Sequence, residues 1–474
     1  MWITIFFWSF ITVYVSVVTS IILVVLLDNR QPVKAISWLL ILLALPCIGL
    51  VLYYFFGQNI RKEKLISKKS LNLLTQNVVF DKTILERNQN YAPLIRYFER
   101  RNMAMPFVGN SLVLINTGAE YIEQLLRDIG RARHHIHLQS YIFEDDSIGR
   151  LVRDALIDAT RRGVLVRLIY DDVGCWNVKQ RFFDNMEKNG IQLQNFMPVR
   201  FPRFTHKANY RNHRKLCIID GSVGFIGGMN IALRYVRGKE GTPWCDMQLR
   251  IEGGAVAALQ QVFLTDWFFM SRVMINDTPY YPVSLQNKNV KNDSTVQIVT
   301  SGPASKWPDI MHGMTWAIQN SRNYVYIQSP YFMPTEPIMQ ALQTAATCGV
   351  DVRVMVPWKP DGKFLKWANN SFFTEALRAG VKVYTYRGGF LHSKMMVIDD
   401  EMCTIGSTNI DFRSFENNFE VNAFIYSPTM ALQVKSTFYA DTEHCIRLDS
   451  SIWKKRSIFL RLRESLVRLF SPML

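Results

Sequence analysis

NHRKLCIID (212–220) and LHSKMMVID (391–399) carry one pattern twice: a histidine, a lysine two places on, and an aspartate five places after the lysine. Side chains at i and i+2 of an extended segment share a face. His213 and Lys215 therefore point the same way, as do His392 and Lys394. Asp220 stands at an odd offset from His213 and precedes Gly221, a D-G hairpin signal. Asp220 and Asp399 thus read as braces of a turn more than as substrate contacts. A returning strand follows each turn, VGFIGGMN (223–230) and MCTIGSTN (402–409). Gly228 matches Ser407 and Asn230 matches Asn409, each pair at equal distance from its lysine.

This set of groups suits a phosphoryl centre. Lys215 and Lys394 neutralise non-bridging oxygens, while Asn230, Asn409 and Ser407 donate hydrogen bonds to them. A neutral imidazole attacks phosphorus, and a second, protonated one gives its proton to the leaving alkoxide. One motif supplies one imidazole, so the reaction needs two copies meeting across a pseudo-twofold interface. A carboxylate on each far ring nitrogen would fix the tautomer. Asp246 in PWCDMQ and Glu420 in NNFEVN are the candidates. His134, His135 and His137 open a strand with no carboxylate or cysteine partner nearby in sequence, so no metal is expected there. His206, His312 and His444 read as ordinary histidines. The run DWFF (266–269) reads as a helix packing its aromatics.

The motifs sit in similar blocks. The first contains IHLQSYIF (136–143) and RRGVLVRLIYDD (161–172); the second contains VYIQSPYF (325–332) and TCGVDVRVMVPW (347–358). The shared order is strand, helix, strand, loop, motif strand, which predicts a duplicated α/β layered unit. The polar stretch LQNKNVKNDST (285–295) marks a joint between halves.

At 474 residues the chain exceeds one ordinary domain. Residues 1–27 and 35–57 contain no charged side chain, and each run is long enough to cross a ~30 Å hydrocarbon core as a helix. A signal peptide would show a basic start and a shorter apolar run. Pro46 is tolerable in a membrane helix and a source of a kink. The segment 58–70 carries Arg61, Lys62, Lys64, Lys68 and Lys69, against Arg30 and Lys34 in the loop 28–34. The richer side faces the cytoplasm, which predicts a multi-pass protein of the cell membrane with its catalytic body inside. Net charge is +16, suited to an anionic partner, and the anchor favours a membrane over nucleic acid. Seven scattered cysteines without a C-x-x-C argue against a disulfide framework or a zinc ribbon. The expected organisation is two transmembrane helices at 1–57, a basic stalk at 58–90, lobes at 91–285 and 286–448, and a basic amphipathic helix at 449–474. That last helix reads equally as lying on anionic lipid and as docked on the body with a solvated basic face.

The paired motifs resemble the HKD signatures of the phospholipase D superfamily. RQPVKAISWLLILLALPCIGLVLYYFFG (30–57), SPYFMPTEPI (329–338) and the ending RLFSPML (468–474) resemble bacterial cardiolipin synthases. The resemblance spans nearly the whole chain. It implies an α/β fold of two phospholipase D-like lobes, each a mixed sheet flanked by helices, behind an N-terminal transmembrane hairpin. It implies a transesterification without metal or other cofactor: one phosphatidylglycerol forms a phosphatidyl-histidine and releases glycerol, and a second attacks to give cardiolipin. His213 is then the nucleophile and His392 the acid/base, an order the residues alone do not set. The signature also counts Asp220 and Asp399 among its catalytic residues. A membrane-anchored hydrolase, or a synthase with another acceptor, would use the same site. Oligomeric state is not legible.

Overall fold

A computed structural model describes residues 2–27, 32–45, 47–57, 83–199, 209–275, 280 and 294–473. The first charged loop through residue 31, Pro46, the stalk through residue 82, His206 and joint residues 285–293 lie outside them. The chain divides into two compact units, one of residues 1–62 and 199–209, the other of residues 63–198 and 210–474.

In the first unit, helix Trp2–Leu27 has 26 residues and no charged side chain. At 1.5 Å per residue it measures about 39 Å, enough to span a bilayer core. The second apolar run is interrupted in the stretch where the sequence places a kink. It forms Pro32–Ala44, then Ile48–Leu52 and a π-turn Tyr53–Gly57. The interruption brackets Pro46 in the sequence, a residue with no N–H to continue a helical ladder. Val18 and Val25 pack with Leu42 and Tyr53.

The second unit holds both motifs. Its first half runs, neighbour by neighbour, Pro106–Ile115, Gln248–Glu252, Val223–Gly227, Leu216–Ile219, His135–Ser140, Leu165–Asp171, Gln192–Phe196. The second half repeats this as Ser294–Ser301, Asn418–Tyr426, Met402–Gly406, Met395–Ile398, Tyr324–Gln328, Asp351–Pro357, Lys382–Tyr386, with Cys445–Arg447 added at the edge. In each half the first four pairings are antiparallel and the next two parallel. The expected loop before each motif in fact contains a helix and a strand: Gln180–Lys188 with Gln192–Phe196, and Lys363–Arg378 with Lys382–Tyr386. These strands are short and mixed in polarity, which hid them.

The halves share one sheet. Pro106–Ile115 pairs antiparallel with its counterpart Ser294–Ser301, Phe107 opposite Val296. Antiparallel pairing of equivalent strands is what a twofold relation between halves requires. Helices cover both faces. Ile136 and Leu138 pack into a core with Leu125, Ile129, Val152 and Leu156 from helices Gly118–Arg131 and Ser147–Arg161. The alternate side chains His135, His137 and Gln139 face helix Ala255–Ser271, bonding Gln260 and Asp266. This explains a strand buried at every position, and burial pushes the His135 imidazole down to about 4.

The C-terminal segment is two short helices, Ser450–Lys454 and Ile458–Arg468, rather than one. The second docks on helix Lys363–Arg378 through Glu464 and Val467, both buried.

Asp220 and Asp399 have identical surroundings. Asp220 accepts from the backbone N–H groups of Arg133, His134 and His135 at 2.8–2.9 Å. Asp399 accepts from those of Arg322, Asn323 and Tyr324 at 2.7–2.8 Å. Both aspartates have φ of +53°, a left-handed conformation that Asp tolerates better than most residues. Each ties its turn to the start of a central strand. Asp220→Ala and Asp399→Ala should each cost about 1–3 kcal/mol, the penalty for orphaned donors. Heat unfolding should show that loss. Turnover per folded molecule should change little, and a collapse of kcat without loss of stability would put these carboxylates in the chemistry instead.

Candidate active site

Each His-x-Lys segment lies between two strand pieces. Arg211–Asn212 pairs with Asn418–Phe419 of the second half, and the chain then passes through His213 and Lys215 into its own sheet at Leu216. Phe390–Leu391 pairs with Trp244–Cys245 of the first half, and His392 and Lys394 lead into Met395. So each histidine sits where its half reaches into the other. His213 N–H donates to the Phe419 carbonyl at 3.0 Å, and His392 N–H to that of Cys245 at 2.7 Å.

The carboxylates follow the same exchange. His213 Nδ1 is 3.0 Å from Glu420 Oε1, a residue of the second half. His392 Nδ1 is 2.6 Å from Asp246 Oδ2, a residue of the first. A carboxylate accepts, so each Nδ1 carries the hydrogen and a neutral ring keeps its lone pair on Nε2. Asp246 and Glu420 were legible as candidates; which carboxylate serves which histidine was not. Lys394 Nζ also stands 2.8 Å from His392 Nδ1 and 3.8 Å from Asp246 Oδ2. Since Nδ1 donates to Asp246, the ammonium gives its hydrogen to the His392 carbonyl. Lys215 likewise donates to the His213 carbonyl.

The two halves act on each other electrically. Burial lowers the His213 imidazole below its usual range, and the charges of Lys215 and Lys394 oppose Glu420 there. Burial and Lys394 push His392 down to about 3, with Lys215 adding to the effect. Burial brings Lys215 down to about 7 and Lys394 to about 8, and the charge of Lys394 depresses Lys215 further. Each lysine thus acts on the histidine of the opposite half.

Gly228 and Ser407 explain the one break in motif symmetry. Ser407 Oγ donates to Glu420 Oε2 and accepts the N–H of Val421 at 3.0 Å. In the first half the equivalent N–H, of Met247, goes to Asp246 Oδ1 at 2.8 Å. A Cβ at Gly228 would stand 2.2 Å from that oxygen. The shorter acid occupies the space that the serine side chain fills in the other half. Ser407, expected on phosphate, spends its proton on Glu420. Asn230 donates to the Tyr235 hydroxyl at 2.6 Å and accepts from Ile142 N–H at 3.0 Å. Asn409 is buried near Asp411, whose carboxyl burial raises to about 6.

Other residues complete the site that the sequence did not single out. Tyr141 stands edge-on to His213 at 5.1 Å and lies under Lys215 Nζ at 5.4 Å. Trp244, Tyr235 and Phe390 surround His392 at ring separations of 5.4–5.9 Å. Asp266, read only as part of an aromatic helix, binds Arg214, Asn212 and Gln139 and so clamps the segment beside His213. No spacing rule links these positions; only the fold brings them together.

The family described as "Cardiolipin synthase, PLD-like domain" matches residues 125–267 and 314–442, one segment in each half. The chain belongs to the cardiolipin synthase family. A second family, the phospholipase D-nuclease N-terminal one, matches residues 14–58. "Cardiolipin synthase" of Alkalihalophilus pseudofirmus is 37% identical over 461 residues, 95% of this chain and 91% of the relative. "Major cardiolipin synthase ClsA" of Bacillus subtilis is 37% identical, covering 96% of each chain. "Cardiolipin synthase 1" of Staphylococcus aureus is 37% identical, covering 97% of this chain and 96% of its own. The crystal structure of phosphatidylserine synthase from Haemophilus influenzae covers 81% of this chain and all of its own, with a TM-score of 0.61 at 14% identity, and shares the fold. With its apolar N-terminal helix, this member of the cardiolipin synthase family is a membrane-associated phospholipid transferase.

Proposed function

We propose that the chain is a cardiolipin synthase that joins two phosphatidylglycerol molecules and releases glycerol. The observation that carries this reading is the exchange at the histidines, each ring being held by a carboxylate of the opposite half. That arrangement prepares two Nε2 atoms for one phosphorus.

In the first step His213 Nε2 attacks the phosphorus of one phosphatidylglycerol. The bond from phosphorus to the headgroup glycerol oxygen breaks, and His392 protonates that oxygen. In the second step the neutral His392 takes the proton of a hydroxyl on another phosphatidylglycerol. That oxygen attacks phosphorus, the P–N bond breaks, and cardiolipin leaves with His213 restored. Lys215 and Lys394 neutralise the phosphoryl oxygens, helped by the Asn230 and Asn409 amides, so no metal is needed for charge. Ser407 acts through Glu420, as a positioning residue.

Free of substrate, both imidazoles are held neutral. A phosphodiester anion entering between them favours the cationic ring, so the proton on His392 is taken up with substrate. The lysines set the pH response. Their cationic forms persist below about 7 for Lys215 and about 8 for Lys394 and are lost as pH rises through those values. Initial rates at low phosphatidylglycerol should therefore give a kcat/KM that falls as pH climbs above about 7–8. A kcat/KM still rising to pH 9 would mean the lysines are not the phosphate's counter-charge.

The lobes divide near 285, a multi-pass anchor precedes them, and the body faces the cytoplasm; the excess of lysine and arginine at 58–70 supports this orientation. Purified protein given headgroup-labelled and acyl-labelled phosphatidylglycerol in detergent should yield cardiolipin and free glycerol. Phosphatidic acid as sole lipid product would instead make it a hydrolase.

A further inference from the structure

The helix Ile458–Arg468 packs Val467 and Leu460 against the body, yet turns the larger share of its apolar side chains outward. Its acid Glu464 is 2% exposed, held by Arg456 at 2.8 Å and by Asn370 at 2.9 Å. Its apolar side chains Phe459, Leu462 and Leu466 face outward, Phe459 at 80% exposure, and Leu469 beyond its end at 74%. A helix docked for its own stability buries the apolar face. This one also presents a wider apolar stripe, flanked by the charges of Lys454, Lys455, Arg461 and Arg463.

Beneath the segment is a cavity of about 210 Å³ at the carboxyl ends of strands Asp351–Pro357 and Lys382–Tyr386. Its walls are apolar and aromatic, among them Phe373, Trp453 and Leu460, with Trp358 half out at the rim. Three observations give it a polarity. The Asn369 amide lines it, is 2% exposed, and its Nδ2 has no hydrogen-bond partner. Lys366 in the cavity wall and Arg387 outside it both stack on the rim residue Trp358, at 5.0 and 4.4 Å. Neither makes an ion pair among the described residues. Two cations on one ring and a buried unused donor call for an anion with ester or phosphate oxygens, carried on an apolar body. The cavity is also tied to the active site: Asn369 Oδ1 accepts the N–H of Phe332 at 3.0 Å, and Phe332 pairs with Ile410, next to Asn409.

We propose that this cavity is a second phospholipid site, which takes the glycerol-ester region of an anionic phospholipid. Its phosphate lies against Lys366 and Arg387, and its chains run out beside the apolar face of helix Ile458–Arg468 into the bilayer. At this volume it holds part of a lipid, not a whole one. The site does not depend on chemistry at the histidines.

The test uses full-length protein carrying His213→Ala, in nonionic detergent, so that the probe is not consumed. The probe is phosphatidylglycerol with a photoreactive group near the ester end of one chain, and crosslinked peptides are identified by mass spectrometry. Crosslinks to peptides spanning 356–373 and 453–460 are expected, competed by unlabelled phosphatidylglycerol but not by phosphatidylcholine or glycerol 3-phosphate. The double variant Lys366→Glu/Arg387→Glu and the cavity-filling Leu460→Trp should each lower them about tenfold or more, with unchanged heat unfolding. Labelling confined to the peptides of His213 and His392 would overturn the proposal. So would undiminished labelling in both variants, equal competition by phosphatidylcholine, or equal competition by glycerol 3-phosphate, which would make the ligand a free phosphate. Labelling of a second copy of the chain across this helix would make the face a self-contact and equally overturn it. Because no turnover is read, a negative result leaves the transferase reaction to its own product assay.

Discussion

His213→Ala and His392→Ala should each reduce cardiolipin formation by about ten-thousand-fold, since nucleophile and proton donor are separate groups that cannot stand in for one another. The two variants should then differ with a nitrophenyl phosphodiester, whose leaving group departs without a proton. His392→Ala should still release a burst of nitrophenol as the His213 ring is loaded, and then stall. His213→Ala should release none. Turnover of phosphatidylglycerol above roughly 1% of wild type in either variant would break the two-imidazole scheme. A burst in His213→Ala but not in His392→Ala would exchange the two roles. The free-state electrostatics do not choose between the rings, because burial and the lysines hold both neutral.

Glu420→Gln should be nearly as damaging as losing the histidine it serves, lowering kcat about 10²–10⁴-fold with a smaller change in KM. An amide in place of the carboxylate presents a donor to His213 Nδ1, favours the wrong tautomer, and withdraws the lone pair from the attacking nitrogen. With that orientation the amide oxygen still accepts from the Ser407 hydroxyl, so the loss falls on the histidine. Asp246→Asn should do the same to His392. The distinguishing result is which step fails in which half. Glu420→Gln, although it lies in the half that contains His392, should abolish the nitrophenol burst. Asp246→Asn, in the half that contains His213, should keep it. The opposite assignment would show that each carboxylate serves its own half and that the contacts at 3.0 and 2.6 Å are not those of the working enzyme.

Much of this was legible because identical residue types recur at identical spacing. The alignment of Gly228 with Ser407 and of Asn230 with Asn409 fixed the hairpin before any coordinate, and the odd offset of Asp220 separated it from its histidine. What spacing does not carry is partnership across a symmetry relation. Asp246 lies close after the first motif in the chain, yet it meets the second. The Gly/Ser difference is a matter of which acid fits behind which ring. The strand Gln192–Phe196 was missed because a short strand with mixed burial lacks a clean period of two. In the second apolar run the proline that marks a kink in the sequence, Pro46, falls between the helices Pro32–Ala44 and Ile48–Leu52. For the C-terminal segment periodicity leaves two readings open, and the helix has features of both: Val467 and Glu464 face the body while Phe459 faces out.

The strand pair Phe107–Val296 stitches both lobes into a single hydrogen-bonded ladder. A clamshell motion would have to break main-chain hydrogen bonds at that seam. Diacyl substrates and a four-chained product should therefore reach the histidines past the rings that stand beside them, Tyr141 and Trp244. The rate should respond to the bulk of those rings more than to any bend between the lobes.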